Sequence, residues 1–183
     1  MTYDPWQNCK TKNNYNADEV ISALQKSIRR GKEEDACKFA YELYLTSPEL
    51  EEKMWKRLLV ICVEDIGMGD PMAAVIVHNL YQMHHLFGYH EVDRTLYFFH
   101  AIRYMCACEK DRSSDLLKNV CQMEVKKGIL AEIPDYALDM HTRRGQEMGR
   151  DINHFLTEAS KVVPQKEVDN DYYERMVQLV KEK

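Results

Sequence analysis

The chain has 183 residues, 30% of them charged, with 30 acidic against 25 basic side chains and a formal net charge of −5. That length suits one ordinary domain with short appendages, able to bury about 70% of its unfolded surface without a disulfide or metal staple. The acidic balance argues against a protein that lives chiefly by gripping phosphate backbones, and no apolar run approaches the roughly 18 residues of a membrane span.

The polar stretch from Met1 to Asn16 has no apolar core of a secretory signal. Cys9, Cys37, Cys62, Cys106, Cys108 and Cys121 include no C-x-x-C pair, and several fall at apolar positions of helical stretches. The expectation is a cytoplasmic chain whose cysteines are reduced.

Residues 1–15 read as an N-terminal extension, 16–160 as a helical domain, and 161–183 as a linker with a closing helix. Asn16-Ala17-Asp18-Glu19 has the form of a capping box, and Val20, Ile21, Leu24 and Ile28 follow at helical spacing up to Gly31. A second helix is predicted from about Glu33 to Leu45 with Ala36, Phe39, Ala40 and Leu43 inward. Ser47-Pro48-Glu49 starts a third, carrying Leu50, Met54, Leu58 and Ile61.

That helix runs into Glu64-Asp65-Ile66-Gly67-Met68-Gly69-Asp70-Pro71, which reads as a sharp corner. Gly67 and Gly69 are free to take positive φ, Asp70 can cap the next helix, and Pro71 suits a first helical position. Glu64 and Asp65 break the local rule, because the dipole at a helix C-terminus repels anions. Both carboxylates therefore require donors from elsewhere. By composition, Arg143 or Arg144 is a candidate.

The fourth helix is expected from Pro71, with Met72, Val75, Ile76, Asn79, Leu80 and Met83 on one face. A fifth, from about Glu91, holds Leu96, Phe99, Ile102, Arg103 and Cys106. Ser113-Ser114-Asp115 starts a sixth, with Leu117, Val120 and Cys121 inward and Lys126 and Lys127 at its end. Residues 129–157 are less regular, 164–170 form a linker, and Asp171 to Lys181 close the chain as a helix. No strand-like alternation of useful length appears, so the fold class is all-α: a compact multi-helix bundle with helix-turn-helix corners.

Chemistry is hard to place on this pattern. His78, His84, His85, His90 and His100 cluster, yet no metal-ligand spacing of the H-E-x-x-H or paired Glu-x-x-His kind is present, and the adjacent His84 and His85 should diverge on a helix. Gly31-Lys32 is followed by Glu33, without the spacing of a phosphate loop. Neither a cofactor nor a catalytic residue is expected. The segment from His141 to Arg150 holds Arg143, Arg144 and Arg150 beside Gly145 and Gly149. With Lys126 and Lys127 it offers possible anion or nucleic-acid contacts. The plainer alternative is that these arginines satisfy internal carboxylates.

Two stretches carry a family resemblance. Asp18 to Arg29, and the run from Arg57 to Pro71 with Glu64-Asp65-Ile66-Gly67 and Asp70-Pro71, resemble the C-terminal helical region of the RarA/MgsA group of AAA+ ATPases. These are replication-associated recombination proteins similar to the Werner helicase-interacting protein. Ile133-Pro134 with Asp139, Thr142, Met148 and Gly149 is a weaker echo. The resemblance also implies Lys26, Arg29 and Arg57 as the nearest basic partners for Glu64 and Asp65. The resemblance implies an all-helical module that assembles its proteins into tetramers and works beside replication or repair partners and DNA. The motor's phosphate loop and arginine finger have no counterpart here, so ATP-driven work does not carry over. With the extension around Asp4-Pro5-Trp6, this suggests a free-standing relative. The leading expectation is a non-enzymatic, homo-oligomeric interaction module. A nucleic-acid-binding module is the alternative, and a metal-dependent enzyme comes last.

Overall fold

The computed structural model describes residues 5–182, so Asp4 of the Asp4-Pro5-Trp6 extension lies outside the described residues. The fold is all-α: nine helices and no strand occur among the described residues. One compact unit runs through Lys127 and a second begins at Gly128.

In the first unit, α1 (Ala17–Arg29) ends where Gly31 takes φ +67. Gly31 N donates to Ile28 O at 3.0 Å and Lys32 N to Ser27 O at 2.9 Å, the paired bonds of a Schellman stop. At its other end the expected capping box does not form. Asn16 Oδ1 instead accepts from Lys10 Nζ at 2.7 Å, across a turn closed by the Lys10–Asn16 bridge. α2 (Glu33–Thr46) follows, and Ser47 caps α3 (Pro48–Ile61) by accepting from Leu50 N at 3.2 Å. α4 (Ala73–His84), α5 (Arg94–Ala107) and α6 (Ser113–Lys126) complete the unit.

The core is drawn from α1, α2, α3 and α5. Leu24, Ile28, Leu43, Leu50, Met54, Trp55, Leu58, Ile61, Phe98, Ile102 and Met105 are fully buried. Each such side chain contributes about 1.5–3 kcal/mol by leaving water.

Two helices turn a different side inward from the one their sequence suggests, and a third turns none. α4 buries Ala73, Val77 and His84, and leaves Met72, Val75 and Met83 exposed. Apolar residues run around most of its circumference, so periodicity alone does not choose a face. Its first turn begins at Ala73, with Pro71 outside the helix. α5 buries Phe98, Ala101, Ile102 and Met105, while Leu96 is exposed and Arg103 reaches out to Glu33 at 2.8 Å. The run Tyr97-Phe98-Phe99 is apolar in every direction, and the ring contacts of Phe98 with Tyr44 and of Phe99 with Tyr41, both on α2, fix the rotation. α6 buries nothing: Leu117, Val120 and Cys121 all face outward. Spacing reveals that a helix has an apolar side; it does not reveal whether this chain covers it.

The second unit is lightly cored, with Leu138 and Gly145 its buried residues. Thr142 caps α7 (Arg143–Glu147) by accepting from Gly145 N at 3.1 Å. A Cβ on Gly145 would lie 1.9 Å from Asp139 O, so only glycine fits. Asp151 caps α8 (Ile152–His154), which widens into a π-turn at Phe155–Ala159. No helix or strand occupies 164–170, and α9 (Tyr172–Lys181) follows with Tyr172, Tyr173 and Met176 exposed. No helix among the described residues is long and apolar enough to cross a membrane.

Candidate functional site

The corner is built where α3 ends at Ile61 and the backbone widens into a π-turn over Cys62–Ile66. π-turns are rare in helices and gather at functional positions. Gly67 then takes φ +53, and a Cβ there would sit 2.2 Å from Asp111 O. Gly69 is not at positive φ; its constraint is closeness, since its Cβ would meet Glu109 O at 2.6 Å. The segment between α5 and α6 thus lies directly on the corner backbone, fixed by the Asp111 N bond to Ile66 O at 3.0 Å.

Asp70 ties the far side. Its carboxylate accepts from Met72 N at 3.0 Å, Tyr104 Oη at 2.6 Å and Cys108 Sγ at 3.6 Å. The Tyr104 hydrogen bond holds the Asp70 carboxyl below the usual carboxylate range, and burial pushes the Tyr104 hydroxyl up. Burial likewise raises the thiols, Cys62 to about 12 and Cys37 and Cys106 to about 11, so these are inert protonated groups.

Asp65 is completely buried and Glu64 partly so. Asp65 Oδ1 accepts from Arg29 Nε at 2.7 Å and lies 3.3 Å from Arg112 Nε, while Oδ2 accepts from Gln25 Nε2 at 2.9 Å. Glu64 Oε1 accepts from the same Gln25 amide at 3.0 Å and stands 3.4 Å from Arg29 Nη2 and 3.6 Å from Arg112 Nη2. Two carboxylates thus share two guanidinium groups and one amide. The shared pairing is a clamp between α1, the corner and the start of α6, in which the buried Arg112 Nε is left without a hydrogen-bond acceptor among the described residues.

Of the basic candidates, Arg29 binds the carboxylates directly. Arg57 reaches them through Gln25, donating to its Oε1 at 3.4 Å, and Lys26 turns to Ser22. Gln25 and Arg112 were not foreseen. Gln25 lies one helical turn before Arg29 on α1, which is a visible signal. Arg112 comes from a distant connector and had none.

The arginine-rich segment divides. Arg150 is enclosed by its own unit, donating to Asp135 O and Leu138 O at 2.6 Å each and pairing with Asp135 Oδ1 at 2.6 Å. Arg143 pairs with Glu147 at 2.9 Å on an exposed helix face. Arg144, Lys126 and Lys127 are exposed and make no ion pair among the described residues. Of the histidines, His84 is buried and its ring lies 4.1 Å from that of His85, so the two do not diverge. No group of three or more His, Cys, Asp or Glu suited to a metal occurs among the described residues.

Comparison with known proteins decides the kinship. The family model described as MgsA AAA+ ATPase C terminal matches residues 31–182. The chain belongs to the MgsA C-terminal family. Arg57 to Pro71 falls inside the matched region, whereas Asp18 to Arg29 precedes it. Among relatives of this MgsA C-terminal chain is replication-associated recombination protein A of Bacillus subtilis, 29% identical over 84% of this chain and 37% of that protein. The protein of the same name from Haemophilus influenzae is 30% identical over 68% of this chain and 26% of its own length. An uncharacterised AAA domain-containing protein of Mycobacterium tuberculosis is 27% identical over 85% and 35% respectively. The match therefore covers about a third of the length of these curated relatives.

Proposed function

We propose that this chain is a non-enzymatic assembly module of a replication-associated recombination system, and that it self-associates through α6. The observation that supports this is the row Leu116, Leu117, Val120 and Met123, exposed along a helix that contributes nothing to any core. Asp115 in the first turn of α6 is already paired with Arg112 and Lys118, at 2.7 Å each, so the apolar row and not charge carries the pairing. Two copies laid antiparallel about a two-fold axis set opposed helix dipoles side by side and bury both apolar rows. The tetramer implied by the resemblance needs a further contact, for which the exposed Met72, Val75 and Met83 of α4 are the natural supply. A replication or repair protein as further partner fits the same reading.

Val120 lies near the middle of α6, so an antiparallel pair brings it close to its own copy. In a Cys121→Ser background, Val120→Cys should cross-link into a dimer on mild oxidation, while Leu116→Cys should not. Absence of the Val120 product, or equal cross-linking at both positions, contradicts the pairing.

Nucleic-acid contact is the second reading, and it keeps Arg144, Lys126 and Lys127 as unpaired exposed cations. Arg150 is already consumed by Asp135 and two carbonyls.

A further inference from the structure

Beside the corner, α1 and α3 enclose a hollow of about 200 Å³ lined by Asp18, Ile21, Ser22, Gln25, Lys53 and Arg57. Lys53 and Arg57 stand one helical turn apart on α3, and neither makes an ion pair among the described residues. That contrasts with Arg29, Arg94, Arg112 and Arg150, each of which meets a carboxylate. Arg57 Nε is buried without an acceptor among the described residues, and Nη1 reaches only Gln25 Oε1, at a long 3.4 Å. A half-buried guanidinium with five donors rarely goes so poorly matched. Ser22 accepts from Lys26 Nζ, which leaves the serine's own proton free to donate.

We propose that this hollow binds a phosphate-type oxyanion. Arg57 supplies a planar fork, Lys53 a mobile ammonium and Ser22 a hydroxyl, approaching from two helices, an arrangement that suits a tetrahedral group. Asp18 on the rim offsets one of the two cations and so favours a singly charged group over a dianion. The oxyanion comes either from free phosphate or from a nucleic-acid backbone. Because Arg57 also holds Gln25 Oε1, and Gln25 Nε2 holds both Glu64 and Asp65, an anion in the hollow bears directly on the corner clamp.

The test is calorimetric titration of the full chain, at fixed ionic strength in phosphate-free buffer, with inorganic phosphate and separately with a short oligothymidylate. Saturable binding of at least one of them is expected, weakened about tenfold or more in Lys53→Gln and in Arg57→Gln but unchanged in Arg30→Gln. Lys53 makes no bond that folding needs, so its variant keeps the test valid if Arg57→Gln misfolds. Binding of phosphate alone identifies the free anion as the source; oligothymidylate binding with the same losses identifies the backbone. No saturable binding of either, or binding that Lys53→Gln leaves intact, overturns the proposal.

Discussion

Asp65 and Glu64 are neighbours in sequence with unequal weight. Asp65 is fully buried and meets Arg29, Arg112 and Gln25 within 3.3 Å. Its replacement by Asn removes the charge that two partly buried guanidinium groups face, and breaking a buried pair in this way costs about 3 kcal/mol. Glu64 is a quarter exposed with its arginines at 3.4 and 3.6 Å, so Glu64→Gln should cost less than about 1 kcal/mol. Urea unfolding of the two variants measures the difference, and equal losses would show that burial does not set the balance. At this scale the sequence was half legible. The odd placement of two acids at a helix end announced that donors must come from elsewhere, and Arg29 was among the candidates. Arg112 could not be read, because 47 residues of folding separate it from Asp65 and no local pattern links them.

Helices were legible as elements, their orientation less so. Gly31 and Ser47-Pro48 mark the joints of α1, α2 and α3. The apolar rows of α1 and α3 point inward as spaced, while α2 buries Cys37 and Tyr44 with Ala36, Ala40 and Leu43 and leaves Phe39 only partly covered. α4 and α5 carry apolar side chains on several sides, so packing partners chose their rotation. The connection between them is held by a buried cluster that reads in sequence only as a polar helix end. Glu51 on α3 pairs with Arg94 on α5, with both Arg94 Nε to Glu51 Oε1 and Arg94 Nη2 to Glu51 Oε2 at 2.9 Å. Arg94 also donates to His84 O and Phe87 O. His84 Nδ1 faces Tyr81 O, so it carries the proton, and Nε2 accepts from Arg94 Nη2 at 3.2 Å. Burial, reinforced by Arg94 and His85 against the pull of Tyr81 O and Glu52, lowers the His84 pKa from 6.5 to about 4.

The unfolded chain then binds a proton that the folded chain does not between those two values, so stability increases with pH across that window. The His84 contribution is full above about pH 6.5, declines as the pH falls, and levels off below about pH 4. Thermal melts over this range should show the decline, and His84→Gln should flatten it. An unchanged slope in the variant would assign the acid sensitivity to other groups.

As a whole molecule, the chain was legible in its fold class and its family, because helix periodicity and the Arg57 to Pro71 run are local signals. What covers its surface is not a local signal. Spacing gives α6 an apolar row of the kind that enters a core, and among the described residues of its own unit nothing covers it. That is the physical basis for proposing assembly: a helix that would ordinarily bury its apolar side is anchored at the corner, with the Asp65 clamp and the Gly67 and Gly69 contacts fixing the direction in which it starts. Under the proposed function, corner and helix divide the work, one setting geometry and the other supplying the contact. Light scattering of the wild-type chain beside the Leu117→Glu, Val120→Glu double variant tests this most directly. The account predicts a wild-type mass of at least two copies and a lower mass in the variant, with helicity retained; a wild-type monomer at high concentration, or a variant that assembles as well as the wild type, would contradict it.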